Sequence, residues 1–343
     1  MEKNSFNFQV STLLWNMILR NIRDMIRATL KMKRSNMNNI YELNEPQKAY
    51  WGGKWTEQKL DTFEKYVNAY LAIMNKRRDD NNWKLIYFDG FAGSGTREFE
   101  DYEKDETVFA SLNIDEKDLE GYKGAAQRVL SIEKRGFDYY YFIDSDKKAN
   151  DNLKNKLENL DISKDKKMVF RVGDANDEIK KLSNLIRNDS NFKVLILLDP
   201  FGMQITWNSI EQFAGLKGID LWLLIPTGVI VNRLIDKKKK LLYKDKLCSF
   251  LGMSDKEIQE NFYTTKEENT LFGTELMTEK IKEPIEKIAQ VYIEKLEKLF
   301  NYVTDKPLVM FNRKNVPIYH FVFASHNKTA MKIAKDIIGR TQK

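Results

Sequence analysis

Four aspartates follow apolar runs in this sequence, where a buried strand ends and a side chain meets the rim of a sheet. In "YFDGFAGSGT" (residues 87–96), Asp89 closes "WKLIYF" and is followed by Gly90, Phe91, Gly93 and Gly95. Asp144 closes "YYYFI", Asp174 follows "MVFRVG", and Asp199 closes "VLILL" and leads into Pro200, Phe201 and Gly202. A carboxylate beside glycines can hold an ammonium group while the backbone approaches the same molecule closely. A carboxylate at the end of the next strand can take two ribose hydroxyls. Asp174 can accept from an adenine amino group. An Asp-Pro-aromatic step can hold an amine for in-line transfer, where position and polarisation do most of the work.

Each residue also has a plainer reading. The glycines could form a turn with no ligand, Asp174 could cap the helix starting at Ala175, and Asp-Pro could simply stop a strand. Asp146 competes with Asp144 and reads as a cap for the next helix. The glycine order is G-x-x-G-x-G rather than the dinucleotide fingerprint G-x-G-x-x-G, which weighs against a nicotinamide enzyme. An acid before the glycines suits the methionine moiety of S-adenosylmethionine better than a pyrophosphate.

The elements that must position these acids follow from periodicity. Short apolar runs end at Asp89, Asp144, Gly173-Asp174, Asp199-Pro200 and Pro226, with helical patterns at 121–134, 146–160, 175–188 and 206–216 between them. That alternation predicts βαβ units and a parallel sheet, whose ligands bind outside the carboxyl ends of the strands. Thr56 is expected to cap a leading helix to about Asn75. "KPLVMFN" and "PIYHFVFAS", separated by "RKN", predict a hairpin, and a last helix is expected over about 327–339.

The fold class is therefore α/β: a Rossmann-like methyltransferase fold with a mostly parallel seven-stranded sheet, a C-terminal β-hairpin and a helical insert. The expected organisation is a basic amphipathic extension (1–45), a cofactor-binding core (46–235), a mainly helical insert (236–300), and a hairpin and helix completing the core (301–343).

Composition narrows the function. The net charge is +7, but residues 97–120 hold ten acids and three bases, so the remaining chain carries +14. A basic body suits an anionic partner such as DNA or RNA, and Lys237, Lys238, Lys239 and Lys240 are candidate phosphate contacts. No apolar run reaches the roughly 18 residues of a membrane span. One cysteine, Cys248, excludes an internal disulfide and a cysteine-only metal site within one chain and fits a reducing cytoplasm. No Cys or Asp/Glu pair sits at ligand spacing beside His320 or His326, so no metal is expected.

From about Trp51 onward the chain resembles the three-Cys-motif partner protein family. The resemblance is carried by "WTEQKLDTFEKYVNAYLAI", "YFDGFAGSGT", "YYFIDSD", "VGDAND", "LLDPFGMQITWNSIEQFA", "IDLWLLIPTGVIVNRLI" and "PIYHFVFASHNKTAMKIAKDII". It implies a partner similar to radical-S-adenosylmethionine proteins, bearing the three cysteines that this chain lacks. The motif order is also similar to a ribosomal-RNA adenine-N6 methyltransferase family, which implies a cofactor-side lysine at Lys59. "LLDPFG" resembles the D-P-P-Y/F motif of amino-methyltransferases but has one proline, with the aromatic Phe201 one position early.

The expected function is S-adenosylmethionine-dependent methyl transfer to nucleic acid, with an adenine amino group as the target. The alternative is a non-catalytic methyltransferase-like subunit that binds nucleic acid and serves the three-cysteine partner.

Overall fold

A computed structural model describes residues 54–94, 124–132, 135–160, 166–228, 230, 243–270, 273–312 and 314–342, with backbone alone at 54, 265–270 and 273–278. The extension 1–45, Gly95, the acidic stretch 97–120 and Lys237–Lys240 lie outside the described residues.

The leading helix α1 (Lys54–Met74) starts two residues before its expected cap. Thr56 is buried inside it and so does not form its start. Strand β1 (Lys84–Asp89) follows, then α2 (Ala125–Leu130), β2 (Tyr139–Asp144), α3 (Lys147–Glu158) and β3 (Met168–Val172). Next come α4 (Ala175–Asn188), β4 (Phe192–Leu198), the short α5 (Trp207–Glu211) and β5 (Ile219–Ile225). Helix α5 is shorter than its apolar pattern predicts: Thr206 caps it, and turns lead to Gly215 at φ +73°.

The stretch expected to be mainly helical is mixed. Helices α6 (Lys244–Leu251) and α7 (Asp255–Phe262) precede an antiparallel pair, β6 (Tyr263–Thr270) and β7 (Gly273–Lys280), and then α8 (Pro284–Glu297). The threonine-rich "YTTKEENT" and "GTELMTEK" carry β-branched residues that favour strand pairing. The chain closes with β8 (Tyr302–Val303), β9 (Leu308–Phe311), β10 (Pro317–Ser325) and α9 (Lys328–Thr341).

Among the described residues the main sheet has eight strands, not seven, in the order β3-β2-β1-β4-β5-β10-β8, with β9 also on β10. The additional strand is the two-residue β8, too short to stand out as an apolar run. Strands β1 to β5 are parallel, and β10 runs antiparallel to β5. The architecture is α/β with a mostly parallel mixed sheet, compatible with a Rossmann-like fold.

A parallel sheet needs both faces covered. One cluster includes Ile179, Trp207, Phe250 and Tyr292, and the other includes Phe63, Tyr66, Leu153 and Ala334. From β1 the chain moves outward through β2 and β3, then returns to β4 on the other side. That reversal opens a crevice between β1 and β4 at their carboxyl ends. No helix among the described residues is long and apolar enough to cross a membrane.

Candidate functional site

Two acids reach that crevice by the same alternation. In β1, Leu85 and Tyr87 belong to the cluster under α1, and the period of two carries Asp89 to that face. In β4, Leu195 and Leu197 do the same for Asp199. Asp89 pairs in register with Leu197, so the two carboxylates stand at the ends of neighbouring strands. A cleft joins them, lined by Asp89, Phe91, Ala92, Leu157, Leu197 and Asp199 among others.

Asp89 is 1% exposed. The Tyr87 hydroxyl donates to its Oδ2 at 3.0 Å and the Phe91 amide to its Oδ1 at 3.2 Å. Burial pushes its pKa up to about 7; the Asp199 and Asp144 charges add to that rise, and the two hydrogen bonds oppose it. A buried carboxyl held near neutrality ionises readily when a cation arrives beside it.

The glycine loop is tied across the mouth. Gly90 packs so closely that a Cβ there would fall 2.6 Å from Leu198 Cδ2. Gly93 takes φ +63°, which favours glycine, and a Cβ built on it would meet no atom within 4 Å. Its amide donates to Asp144 Oδ2 at 2.9 Å, while the Asp146 amide donates to Oδ1 at 2.9 Å. Asp144 thus anchors the loop from the next strand. Asp146 caps α3 through the amides of Lys148 and Ala149.

Asp174 caps α4 by accepting from the Asn176 amide.

Asp199 is met from α1. Lys59 Nζ lies 2.9 Å from Asp199 Oδ1 and 2.6 Å from Oδ2, with both residues buried. Lys59, expected beside the cofactor, bonds the acid of the Asp-Pro step, which lines the same cleft as Asp89. Trp55, one helical turn earlier, presents its ring 5.9 Å from Lys59 Nζ and stacks on Tyr319 with centroids 5.5 Å apart. The Tyr319 hydroxyl donates to the Phe201 carbonyl at 3.4 Å. Helix α1, strand β10 and the 199–202 loop are therefore joined through four side chains and one carbonyl. Pro200 is buried and Phe201 half-buried.

Tyr87, Trp55 and Tyr319 are site residues that sequence reasoning missed. The alternation of β1 could have found Tyr87, two residues before Asp89 on the same face. Nothing local marks the other two.

His320 is a core residue: its Nδ1 pairs with the Thr227 hydroxyl at 2.9 Å, and burial pushes its pKa down to about 4. Among the described residues no group of His, Cys, Asp and Glu could hold a metal ion.

The donor set fits the amino-acid and ribose ends of S-adenosylmethionine. Asp89 can meet an ammonium, Gly90 to Gly93 bring backbone close to it, and Asp144 stands on the adjacent strand.

No protein-family model matches the chain, and no curated protein does. Among solved structures it is similar to a protein of Legionella pneumophila str. Philadelphia 1 assigned to the DUF519 family model. The identity is 14% and the TM-score 0.33, over 78% of this chain and 97% of that one. An overlay at that score carries no functional argument.

Proposed function

We propose that this chain is an S-adenosylmethionine-dependent methyltransferase of the Rossmann-like methyltransferase fold, acting on an amine of nucleic acid, with the adenine amino group as the expected target. The observation that carries this reading is the placement of buried Asp89 and Asp199 on one face, at the ends of adjacent parallel strands, opening into one cleft.

Asp89 would hold the cofactor's ammonium, the Gly90–Gly93 backbone its amino-acid end, and Asp144 its ribose hydroxyls. When bound, the cofactor supplies an electrophilic methyl group. Asp199 accepts a hydrogen bond from the target amine and stabilises positive charge as it grows on that nitrogen. Lys59 holds the Asp199 carboxylate in place. A carboxylate has about four lone-pair sites, so the two bonds from Lys59 do not by themselves exhaust it. The base must leave its stack to reach the cleft, or already be unpaired.

One observation favours the second reading, a non-catalytic subunit working with a three-cysteine partner. Lys59 sits on both oxygens of Asp199, where an amine would have to be held. Two measurements separate the readings. Calorimetry with S-adenosylmethionine tests the cofactor site. Tritiated methyl transfer to mixed DNA and RNA, with and without the partner, tests the chemistry. Binding with incorporation supports the enzyme; binding with none under either condition leaves the subunit.

A further inference from the structure

The turn between β9 and β10 (residues 312–316) stands at the same end of the sheet as the cleft. Strand β10 runs antiparallel to β5, with His320 opposite Ile225, so its first residues lie at the carboxyl end of β5. Five large hydrophobic side chains are exposed among the described residues, and two of them, Phe311 (43%) and Val316 (42%), flank this one turn. Single exposed apolar residues need no explanation; two flanking one turn at the cleft's end of the sheet do.

The turn is set in advance. Asn312 Oδ1 accepts from the amides of Lys314 and Val316, both at 2.9 Å, and the Asn312 amide donates to the Val316 carbonyl at 2.9 Å. Asn315 takes φ +57°, a left-handed conformation that asparagine tolerates. The base of the hairpin is fastened to the site, because Tyr319 on β10 bonds the Phe201 carbonyl.

The turn itself is basic in sequence: residues 312–316 contain Arg313 and Lys314 and no acid. Lys314 is exposed on the turn itself. An aromatic ring and a lysine on a pre-set surface match a single strand, whose bases stack on the ring while its phosphates meet the cation.

We propose that the β9–β10 turn is a contact for single-stranded nucleic acid, with Phe311 stacking on a base that flanks the target and Lys314 meeting the backbone. Three strand spacings separate β9 from β4, roughly 14 Å at about 4.8 Å each. The turn therefore engages a neighbouring nucleotide rather than the base held at Asp199. The inference rests on the nucleic-acid reading above but not on methyl transfer.

The test is anisotropy of labelled single-stranded RNA and DNA oligonucleotides with the full chain, with duplex as a third arm. Phe311→Ala should weaken single-strand binding about thirtyfold, the middle of the range for one lost base–aromatic stack. Phe311→Trp should retain it, and Phe311→Leu, which keeps apolar bulk without a ring comparable to a base, should not. Lys314→Gln should flatten the salt dependence by somewhat less than one phosphate contact, about 0.7 in slope. Melting temperatures should not move, since both side chains are exposed. The RNA and DNA arms identify which strand is preferred.

Phe311→Ala and Lys314→Gln binding as tightly as the unmodified chain would overturn the inference while leaving nucleic-acid binding intact. No binding of any oligonucleotide by the unmodified chain would overturn it together with the substrate class, leaving cofactor titration to judge the Asp89 site. Loss in the variants without methyl transfer in any assay would support the contact and reject the enzyme.

Discussion

Lys59 and Asp199 stand 140 residues apart in the chain, yet the ammonium lies 2.6 Å and 2.9 Å from the two carboxylate oxygens and neither residue is more than 3% exposed. The pair joins the first helix to the rim of the sheet. Removing one member leaves a buried charge with no counter-ion, which typically costs about 3–5 kcal/mol. Lys59→Ala should therefore lower unfolding stability by that order, as measured in urea. Lys59→Met combined with Asp199→Leu should recover much of it, because an apolar pair of similar volume often equals a buried ion pair. A double variant no better than the single one would show that the cost lies in packing rather than in the lost charge.

Asp89 makes apo stability depend on pH. Its folded pKa is raised from the ordinary carboxyl value of 3.8 to about 7, chiefly by burial. Between those values the unfolded chain has given up the proton and the folded chain has kept it. Stability contributed by this residue is therefore highest at low pH and falls as pH rises toward 7, by roughly 4 kcal/mol at most. Asp89→Asn keeps an acceptor and cannot ionise. Its advantage over the unmodified chain should grow from about pH 4.5 to about pH 7.5 in denaturant melts. A constant difference would place the carboxyl in a wetter site.

The same proton links to the ligand. An ammonium beside Asp89 favours the ionised form, so cofactor binding at about pH 6 should release a proton. Calorimetry with S-adenosylhomocysteine in two buffers of different ionisation enthalpy should give different apparent enthalpies. Asp89→Asn should weaken binding and remove the difference. Equal enthalpies in both buffers, with tight binding, would place the ammonium elsewhere.

The rim was largely legible in the sequence. Buried parallel strands produce continuous apolar runs, and the polar residue that ends each run marks the carboxyl edge, which is how Asp89, Asp144 and Asp199 stood out. Asp174 showed its capping reading, which the bond from the Asn176 amide bears out. The partner of Asp199 was not legible, because a lysine in a charged helix reads as solvated until the helix is seen lying across the sheet. The β6–β7 pair was hidden for a different reason: its sequence is mostly threonine and charged residues, which leaves no apolar period to read. Thr56 misled because a capping residue type also fits inside a buried helix. The turn at Asn312 showed as turn chemistry, but its place at the mouth depends on the antiparallel insertion of β10 beside β5.

Gly90 tests whether the loop's shape matters to the core as well as to the ligand. A Cβ there would approach Leu198 Cδ2 to 2.6 Å, and Leu198 is fully buried. Gly90→Ala should cost about 1–3 kcal/mol, the usual range for overpacking a close-packed interior. The additional substitution Leu198→Ala should make the alanine at 90 better tolerated. The coupling is read from a double-mutant cycle in urea, and strict additivity would mean that the loop yields without disturbing β4.

In the proposed reaction, catalysis turns on Asp199. Asparagine there keeps the shape and one acceptor oxygen but removes the negative charge that would stabilise a growing positive nitrogen. Asp199→Asn should leave S-adenosylmethionine affinity within a few-fold, since Asp89 and Asp144 are the residues assigned to the cofactor. Tritiated methyl transfer to single-stranded nucleic acid should fall by roughly 10²-fold or more, the usual loss for one positioned transition-state contact. The structural cost is controlled by pairing it with Lys59→Gln, which leaves two neutral groups able to hydrogen-bond where the ion pair stood. If that double variant folds, binds cofactor and transfers methyl groups at the unmodified rate, Asp199 is a structural anchor for α1 and the amine is held by something else. If it folds and binds but transfer collapses, the carboxylate does the chemistry that its place beside Asp89 in the cleft suggests.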